Sequence, residues 1–246
     1  SNLSTELIGI ACTVVKGQGE ELARVVLKMG ASVPTITYGT GTGVRDKLGL
    51  LRITIPAEKE TLTFMVSRYD AAHVFERLIQ DGKLDRPGRG FINLFPIRKG
   101  KNNTKLTHGR CGQVASTDQM ITAIDDLKGN IAWRRSGQMV DEDEKSASFS
   151  GLDMTLLTSE AMGYDLVQKL MEAEISGSTI TKFKLIEKKT GSGISRARVA
   201  CSMLIPKKTL KQAIAILDKE DAFGDEGHSV VLTNEVPQAF TYRKLN

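Results

Sequence analysis

A glycine-rich stretch followed by basic residues is the first place in this 246-residue sequence where suitable side chains could do chemistry. The stretch reads TITYGTGTGVRDKLG and runs from Thr35 to Gly49. Closely spaced glycines let successive main-chain N–H groups converge on a phosphate oxygen, and Arg45 and Lys47 could add positive charge. The spacing matches neither the Rossmann nor the P-loop pattern, so a hairpin tip without a ligand remains the alternative.

The composition is typical of a globular protein with an anionic partner. Hydrophobic residues make up 40% of the chain and charged residues 26%, with a net charge of +5. One Trp and four Tyr provide few aromatic faces for stacking bases, so we expect no nucleic acid partner. No apolar run is long enough to span a bilayer, so we expect no membrane insertion. Three widely spaced cysteines predict a reducing, cytoplasmic setting.

The sequence offers no convincing metal site or catalytic constellation. His108 and Cys111 have a ligand-like separation, but a structural metal site normally needs four ligands and no second pair has such spacing. Asp46 and Asp85 are candidate acids only by elimination, because no nucleophile, base and orienting group occur together. We therefore predict no metal and no enzymatic activity.

An internal repeat organises the chain. The segment GEELARVVLKMGASVPTIT from Gly19 recurs as GYDLVQKLMEAEISGSTIT from Gly163, and each copy has the spacing of an amphipathic helix followed by a strand. Both copies predict the order βαββαβ. The predicted fold class is α+β, with two ferredoxin-like domains in tandem, over residues 1–100 and 151–246. A partly helical insertion over 101–150, with its helix at 116–129, would join them.

The two loops of the first copy resemble those of the PII family of signalling proteins. TITYGTGTG places Gly41 and Gly43 behind a Thr-x-Thr strand, as at the start of the family's long loop. DGKLDRPGRGFINLFPI is similar to the family's second loop and its last strand. The resemblance covers about residues 6–97 and is weaker over 152–234.

The resemblance implies an adenine nucleotide, ATP or ADP, bound in a cleft between subunits of a homotrimer. In that family main-chain N–H groups of both loops and a Lys or Arg hold the phosphates, and a Thr of the second strand helps to hold the base. The implied regulated partner is a transporter or metabolic enzyme of nitrogen or related metabolism. The residues so implied are Thr35, Gly41, Gly43, Arg45, Lys83, Gly88, Arg89 and Gly90.

Some positions depart from the family pattern. The first loop is short and has no Tyr, and Arg45 stands where the family has a Gln, so we expect neither uridylylation nor 2-oxoglutarate sensing of the usual kind. In the second copy, Asp225 and Glu226 stand where the first copy has Gly88 and Arg89. Carboxylates repel phosphate, so the second site is predicted to be degenerate.

Three hypotheses follow from the sequence. The first is a non-enzymatic regulator in which nucleotide binding through the first copy orders the short loop. The second is an enzyme acting on a nucleotide. The third is a scaffold without a ligand, in which residues 107–135 carry the function.

Overall fold

The chain folds as two segments with the same order of elements, joined by a connecting segment. The computed structural model describes residues 6–42, 57–101, 106–107, 114–115, 117–129, 148–185, 196–224 and 228–242. The first half comprises β1 (Leu7–Val15), α1 (Gly19–Lys28), β2 (Thr35–Thr42), β3 (Ala57–Ser67), α2 (Ala71–Gly82) and β4 (Phe91–Pro96). The connecting segment contains β5 (Leu106–Thr107), β6 (Val114–Ala115) and α3 (Thr117–Lys128). The second half comprises β7 (Ser148–Ser159), α4 (Glu160–Glu172), β8 (Ser178–Leu185), β9 (Arg196–Ile205), α5 (Leu210–Lys219) and β10 (Val230–Thr241).

The eight long strands form one closed antiparallel barrel. Their order is β4-β1-β3-β2-β8-β9-β7-β10, and β10 pairs with β4 to complete the circle. The predicted fold class, α+β with two ferredoxin-like domains in tandem, is therefore wrong. The edge strands of the two halves pair with each other, so these edges are not left open. Open strand edges expose unpaired main-chain groups, and native proteins usually cover them. The domain limits near residues 100 and 150 stay a prediction.

Closure depends on two short seams between the halves. At one seam Thr40–Thr42 pairs with Ser178–Ile180, and at the other Phe91–Asn93 pairs with Ala239–Thr241. The first seam is reinforced by the Thr42 hydroxyl, which donates to the Ser178 carbonyl at 3.1 Å and accepts from the Ser178 N–H at 3.2 Å. A Cβ on Gly39 would lie 3.0 Å from the Ile180 carbonyl, so the close approach of β2 and β8 favours a residue without a side chain.

The helices pack on one face of the barrel wall because their apolar residues recur at helical spacing. In α1 the buried pair is Leu22 and Val26, and in α4 the buried residues include Leu166 and Leu170. Each half has its own buried cluster between helices and sheet, with a third, smaller cluster on the opposite sheet face. The third cluster brings together residues of both halves, namely Phe91, Phe149, Leu204, Val236 and Ala239. No helix within the described ranges is both long and apolar enough to cross a membrane.

The repeated glycine, which is the first residue of α1 (Gly19) and the fourth residue of α4 (Gly163), has a structural reason. Gly19 donates its N–H to the buried carboxylate of Glu60 at 2.7 Å, and a Cβ there would lie only 2.6 Å from the same oxygen. The carboxylate also lies at the positive end of the helix dipole. In the second half a Cβ on Gly163 would overlap Val199 Cγ2. In its first turn each helix therefore lies too close to a strand to carry a side chain at the glycine position.

Replacing Gly163 by Ala should lower the free energy of unfolding by about 1–3 kcal/mol, because the added methyl group overpacks against Val199. Urea unfolding of the single variants and of the Gly163→Ala/Val199→Ala double variant measures this. The double variant should lose less stability than the sum of the two single variants, because the smaller strand residue makes room. Strict additivity would contradict the proposed contact.

The sheet face that points away from the helices carries many polar side chains. Thr13 and Thr61 share a hydrogen bond of 2.8 Å between their hydroxyls. Asn93 is buried. It lies on the same face, because it pairs with Ala11, which points away from the helices. Burial raises the pKa of Asp153, which lies on this face in the second half. Charged carboxylate is thus penalised in the folded protein.

The Asp153→Asn variant should be more stable than the wild-type protein at neutral pH. The folded wild-type protein holds the Asp153 proton more tightly than its unfolded chain does. Protonated Asp153 therefore stabilises the wild-type fold at low pH, and this contribution is lost as the pH rises through the raised pKa. The difference between variant and wild type should accordingly shrink below the ordinary Asp pKa of about 3.9. Urea unfolding from pH 3 to 8 measures it, with the exposed Asp126→Asn as control. A variant that is less stable at every pH would refute the burial argument.

Candidate functional site

The sequence-predicted site residues that the structure describes lie in β2 and in the loop between α2 and β4. Gly41 lies near the end of β2, opposite Ala57. We call residues 83–90 the Gly88 loop; it contains Lys83, Gly88, Arg89 and Gly90. Gly43 and Arg45 lie outside the described residues.

Lys59 connects Gly41 to the Gly88 loop. This β3 lysine is 7% exposed, and its Nζ donates to the Gly88 carbonyl at 2.6 Å. A Cβ on Gly41 would lie 2.7 Å from Lys59 Cε, so the glycine leaves room for the lysine side chain. The two glycine motifs predicted from the sequence thus converge on one buried cation.

The Gly88 loop has a backbone that only certain residues can adopt. Its first residue, Lys83, ends α2 in the left-handed conformation with φ of 52°. Gly88 has φ of 72° and Gly90 has φ of 141°, both in the region that favours glycine. A Cβ on Gly90 would also overlap the Thr13 carbonyl of β1. The glycines are therefore required for the shape and position of the loop.

Hydrogen bonds within the Gly88 loop use some of its N–H groups. Arg86 donates its N–H to the Lys83 carbonyl at 3.1 Å, and Arg89 donates to the Arg86 carbonyl at 3.3 Å. These two N–H groups serve the turn itself. A bound anion would therefore depend on the side chains of the loop and on its remaining main chain.

The charge of the loop is predominantly positive. Lys83 and Arg86 are exposed, Arg89 is half-buried, and Lys59 lies at the base of the loop. Within residues 83–90 the acidic residue is Asp85. A cluster of cations around a partly enclosed turn attracts anions, and guanidinium groups form paired hydrogen bonds with phosphate.

The structure does not bring Thr35 to this loop. Thr35 lies at the opposite end of β2 from Gly41, about 20 Å away at the usual rise along a strand. Its hydroxyl donates to the Thr63 carbonyl at 3.3 Å. Contact of Thr35 with a ligand at the Gly88 loop would need a molecule that extends along the strand.

The buried cysteines are unsuited to nucleophilic chemistry. Burial raises the pKa of Cys12 and of Cys201 to about 12, so both stay protonated at neutral pH. In the described ranges no group of three or more His, Cys, Asp or Glu side chains could hold a metal ion. The ligand-like pair His108 and Cys111 lies outside those ranges.

Sequence reasoning missed Lys59, because the strand pattern gives the sheet face on which it lies but not the closure of the sheet. In β3 the residues Leu62, Phe64 and Val66 point toward the helices, so Lys59 falls on the opposite face with Thr61. A lysine inside a strand, in phase with the polar side chains of a closed sheet, cannot easily extend into bulk water. Such a residue needs an acceptor, which the Gly88 carbonyl supplies.

Comparison with known proteins adds little. No model of a known protein family matches the chain, and no curated protein matches its sequence. A solved aspartate kinase from Synechocystis shares 12% identity over 94% of this chain, which spans 44% of the kinase chain, with a TM-score of 0.26. A solved protein described as unknown, from Galdieria sulphuraria, shares 8% identity over 95% of this chain and 99% of its own, with a TM-score of 0.28. Likenesses this weak support no conclusion about fold or function.

The Lys59→Met variant tests the link between the two motifs. We expect a loss of about 1–3 kcal/mol in the free energy of unfolding, because the Gly88 carbonyl loses its charged donor. Amide hydrogen exchange should also accelerate in the Gly88 loop. The control is Lys16→Met, which removes an exposed lysine paired with Glu58 and should change stability little. Equal effects of the two variants would contradict a structural role for Lys59.

Proposed function

We propose that the chain is a regulatory protein that binds an adenine nucleotide, ATP or ADP, with its phosphates at the Gly88 loop. The observation that carries the proposal is the Lys59 contact, which joins both glycine motifs at one buried positive charge. Lys83 and Arg89 add positive charge on the outer side of the same loop. A multiply charged phosphate chain is the ligand that such an arrangement attracts most strongly.

The geometry supports the phosphate part of this ligand, and the resemblance to the PII family supports the adenine part. The same resemblance supports assembly as a homotrimer in the cytoplasm and a regulated partner such as a transporter or metabolic enzyme. The resemblance also implies contacts of the nucleotide with Thr35, Gly43 and Arg45.

Regulation would pass through Lys59. An anion at the Gly88 loop competes with the Gly88 carbonyl for the Lys59 ammonium group, and the Lys59 side chain packs against Gly41. Gly41 is the last residue but one of β2. Binding would thus alter the contact between Lys59 and Gly41 near the end of β2, and so the surface offered to a partner.

Thermal unfolding with ATP, ADP and AMP tests the proposal. At saturating nucleotide we expect the melting temperature to rise by about 5 °C or more, because the ligand binds only the folded state. Arg89→Glu should abolish the rise, since it reverses a charge in the Gly88 loop. The control Arg24→Glu makes the same charge change on α1, at an exposed arginine near Glu20, and should preserve the rise.

Two outcomes would overturn the proposal. If no nucleotide shifts the melting temperature, the chain is not a nucleotide-binding regulator, and a ligand-free scaffold becomes the better hypothesis. If the purified protein converts the nucleotide to product at an enzyme-like rate, the regulator hypothesis fails in favour of an enzyme.

A further inference from the structure

The inner face of the barrel is only partly filled in the second half. An eight-stranded barrel has an interior just wide enough for side chains or one small ligand, so the helices lie outside and the residues that alternate with the helix-facing ones point inward. In β10 the residue Val231 packs on the helix side, so Val230 and Leu232 point inward. Their exposed fractions are nevertheless 49% and 48%. Inward apolar side chains stay exposed to this extent only where no other side chain covers them.

A carboxylate lies next to these two apolar side chains. Asp153 of β7 alternates with the helix-facing residues Leu152 and Met154, so it points inward, and it pairs with Asn234 of β10. Leu232 is its diagonal neighbour on β10, and such neighbours lie about 7–8 Å apart. The inner face therefore presents an acidic group and an exposed apolar surface side by side.

Asp153 has no cationic partner among the described residues. Burial raises the pKa of this carboxyl, and no described residue forms a hydrogen bond or an ion pair with its side chain. Lys59 and Arg198, which also lie on the inner face, donate to the Gly88 and His228 carbonyls at 2.6 Å and 3.2 Å. A largely buried carboxylate without a counter-ion carries a desolvation cost that a bound cation would offset.

Neutral acceptors lie around the carboxylate. Asn234 is directly across from Asp153, and the Thr155 hydroxyl, two residues along β7, shares a hydrogen bond of 3.4 Å with the Ser202 hydroxyl of β9. Amide and hydroxyl oxygens keep lone pairs that can accept from a further donor. An ammonium group has three N–H donors and no acceptor, so a carboxylate flanked by neutral oxygens suits it.

We propose that the inner face at Asp153 binds a small alkyl amine, with its ammonium group on the Asp153 carboxylate and its hydrocarbon chain over Leu232 and Val230. The carboxylate favours a cation over a neutral or anionic ligand, and burial of the two apolar side chains favours a hydrocarbon body. The closed circle of strands restricts the occupant to a small molecule. This inference goes beyond the proposed function and does not rest on it, because the nucleotide site lies at the Gly88 loop of the other half.

Isothermal titration calorimetry of the full chain with n-hexylamine tests the site, with 1-hexanol as the uncharged probe of the same length. We expect hexanol to bind at least about 10-fold more weakly than hexylamine, because it cannot pair its charge with Asp153. Asp153→Asn should weaken hexylamine binding by about 10- to 100-fold, and Leu232→Asn by about 10-fold. The matched controls Asp126→Asn and Leu127→Asn change exposed residues of α3 and should leave binding unchanged.

The outcomes decide the inference without reference to the nucleotide. Absence of hexylamine binding by the wild-type protein would overturn it, and so would equal binding of hexylamine and hexanol. Unchanged binding by Asp153→Asn would show that the amine sits elsewhere. If circular dichroism shows that Asp153→Asn does not fold, Leu232→Asn decides, and unchanged binding by that variant would overturn the inference. Arg89→Glu should leave hexylamine binding unchanged, and Asp153→Asn should preserve the melting-temperature rise with nucleotide, so either proposal can fail alone.

Discussion

Closure of the sheet by two seams of three residue pairs each is the constraint on which the structure depends. Without the seams, β2, β4, β8 and β10 would each present an open edge with unpaired main-chain groups. The first seam also determines the candidate site, because Gly41 pairs with Thr179 of β8 and packs against Lys59. Loosening the seam would move the glycine that leaves room for Lys59, so barrel closure and the geometry of the site are physically coupled.

The sequence predicted the elements of each half well but not how the halves join. The apolar spacing in β1 and α1 and the repeat at Gly19 and Gly163 reflect packing of helices on a sheet, which leaves a clear pattern in side chains. The seams left no such pattern. At Thr40–Thr42 and Ser178–Ile180 the pairing uses main-chain groups, which every non-proline residue has. An alternating strand therefore looks the same whether its edge is open or joined to the other half.

The candidate site was predictable only in part, because its glycines leave a signal in the sequence and its buried lysine does not. The glycines at 41, 88 and 90 stand out because few other residues tolerate their backbone or their close contacts. Lys59 was missed because a lysine in a strand usually extends into water, and only the three-dimensional closure of the sheet buries it. Thr35 was grouped with the glycines by the resemblance to the PII family, in which a Thr of the second strand helps to hold the base. An extended strand separates such residues in space, whereas a loop would bring them together.

Comparison of the two halves shows which contacts tolerate change within one architecture. On the helix side of the sheet, Glu60 of the first half is matched by Val199 of the second, both against a glycine at the start of a helix. There a polar and an apolar side chain fill the same space, and the polar one also accepts a hydrogen bond from the glycine N–H. On the opposite face, Lys59 and Arg198 differ in shape but both place a positive charge against a left-handed carbonyl. On this face the two halves therefore keep the same kind of contact, a buried cationic side chain that donates to a left-handed carbonyl, while the shape of that side chain changes.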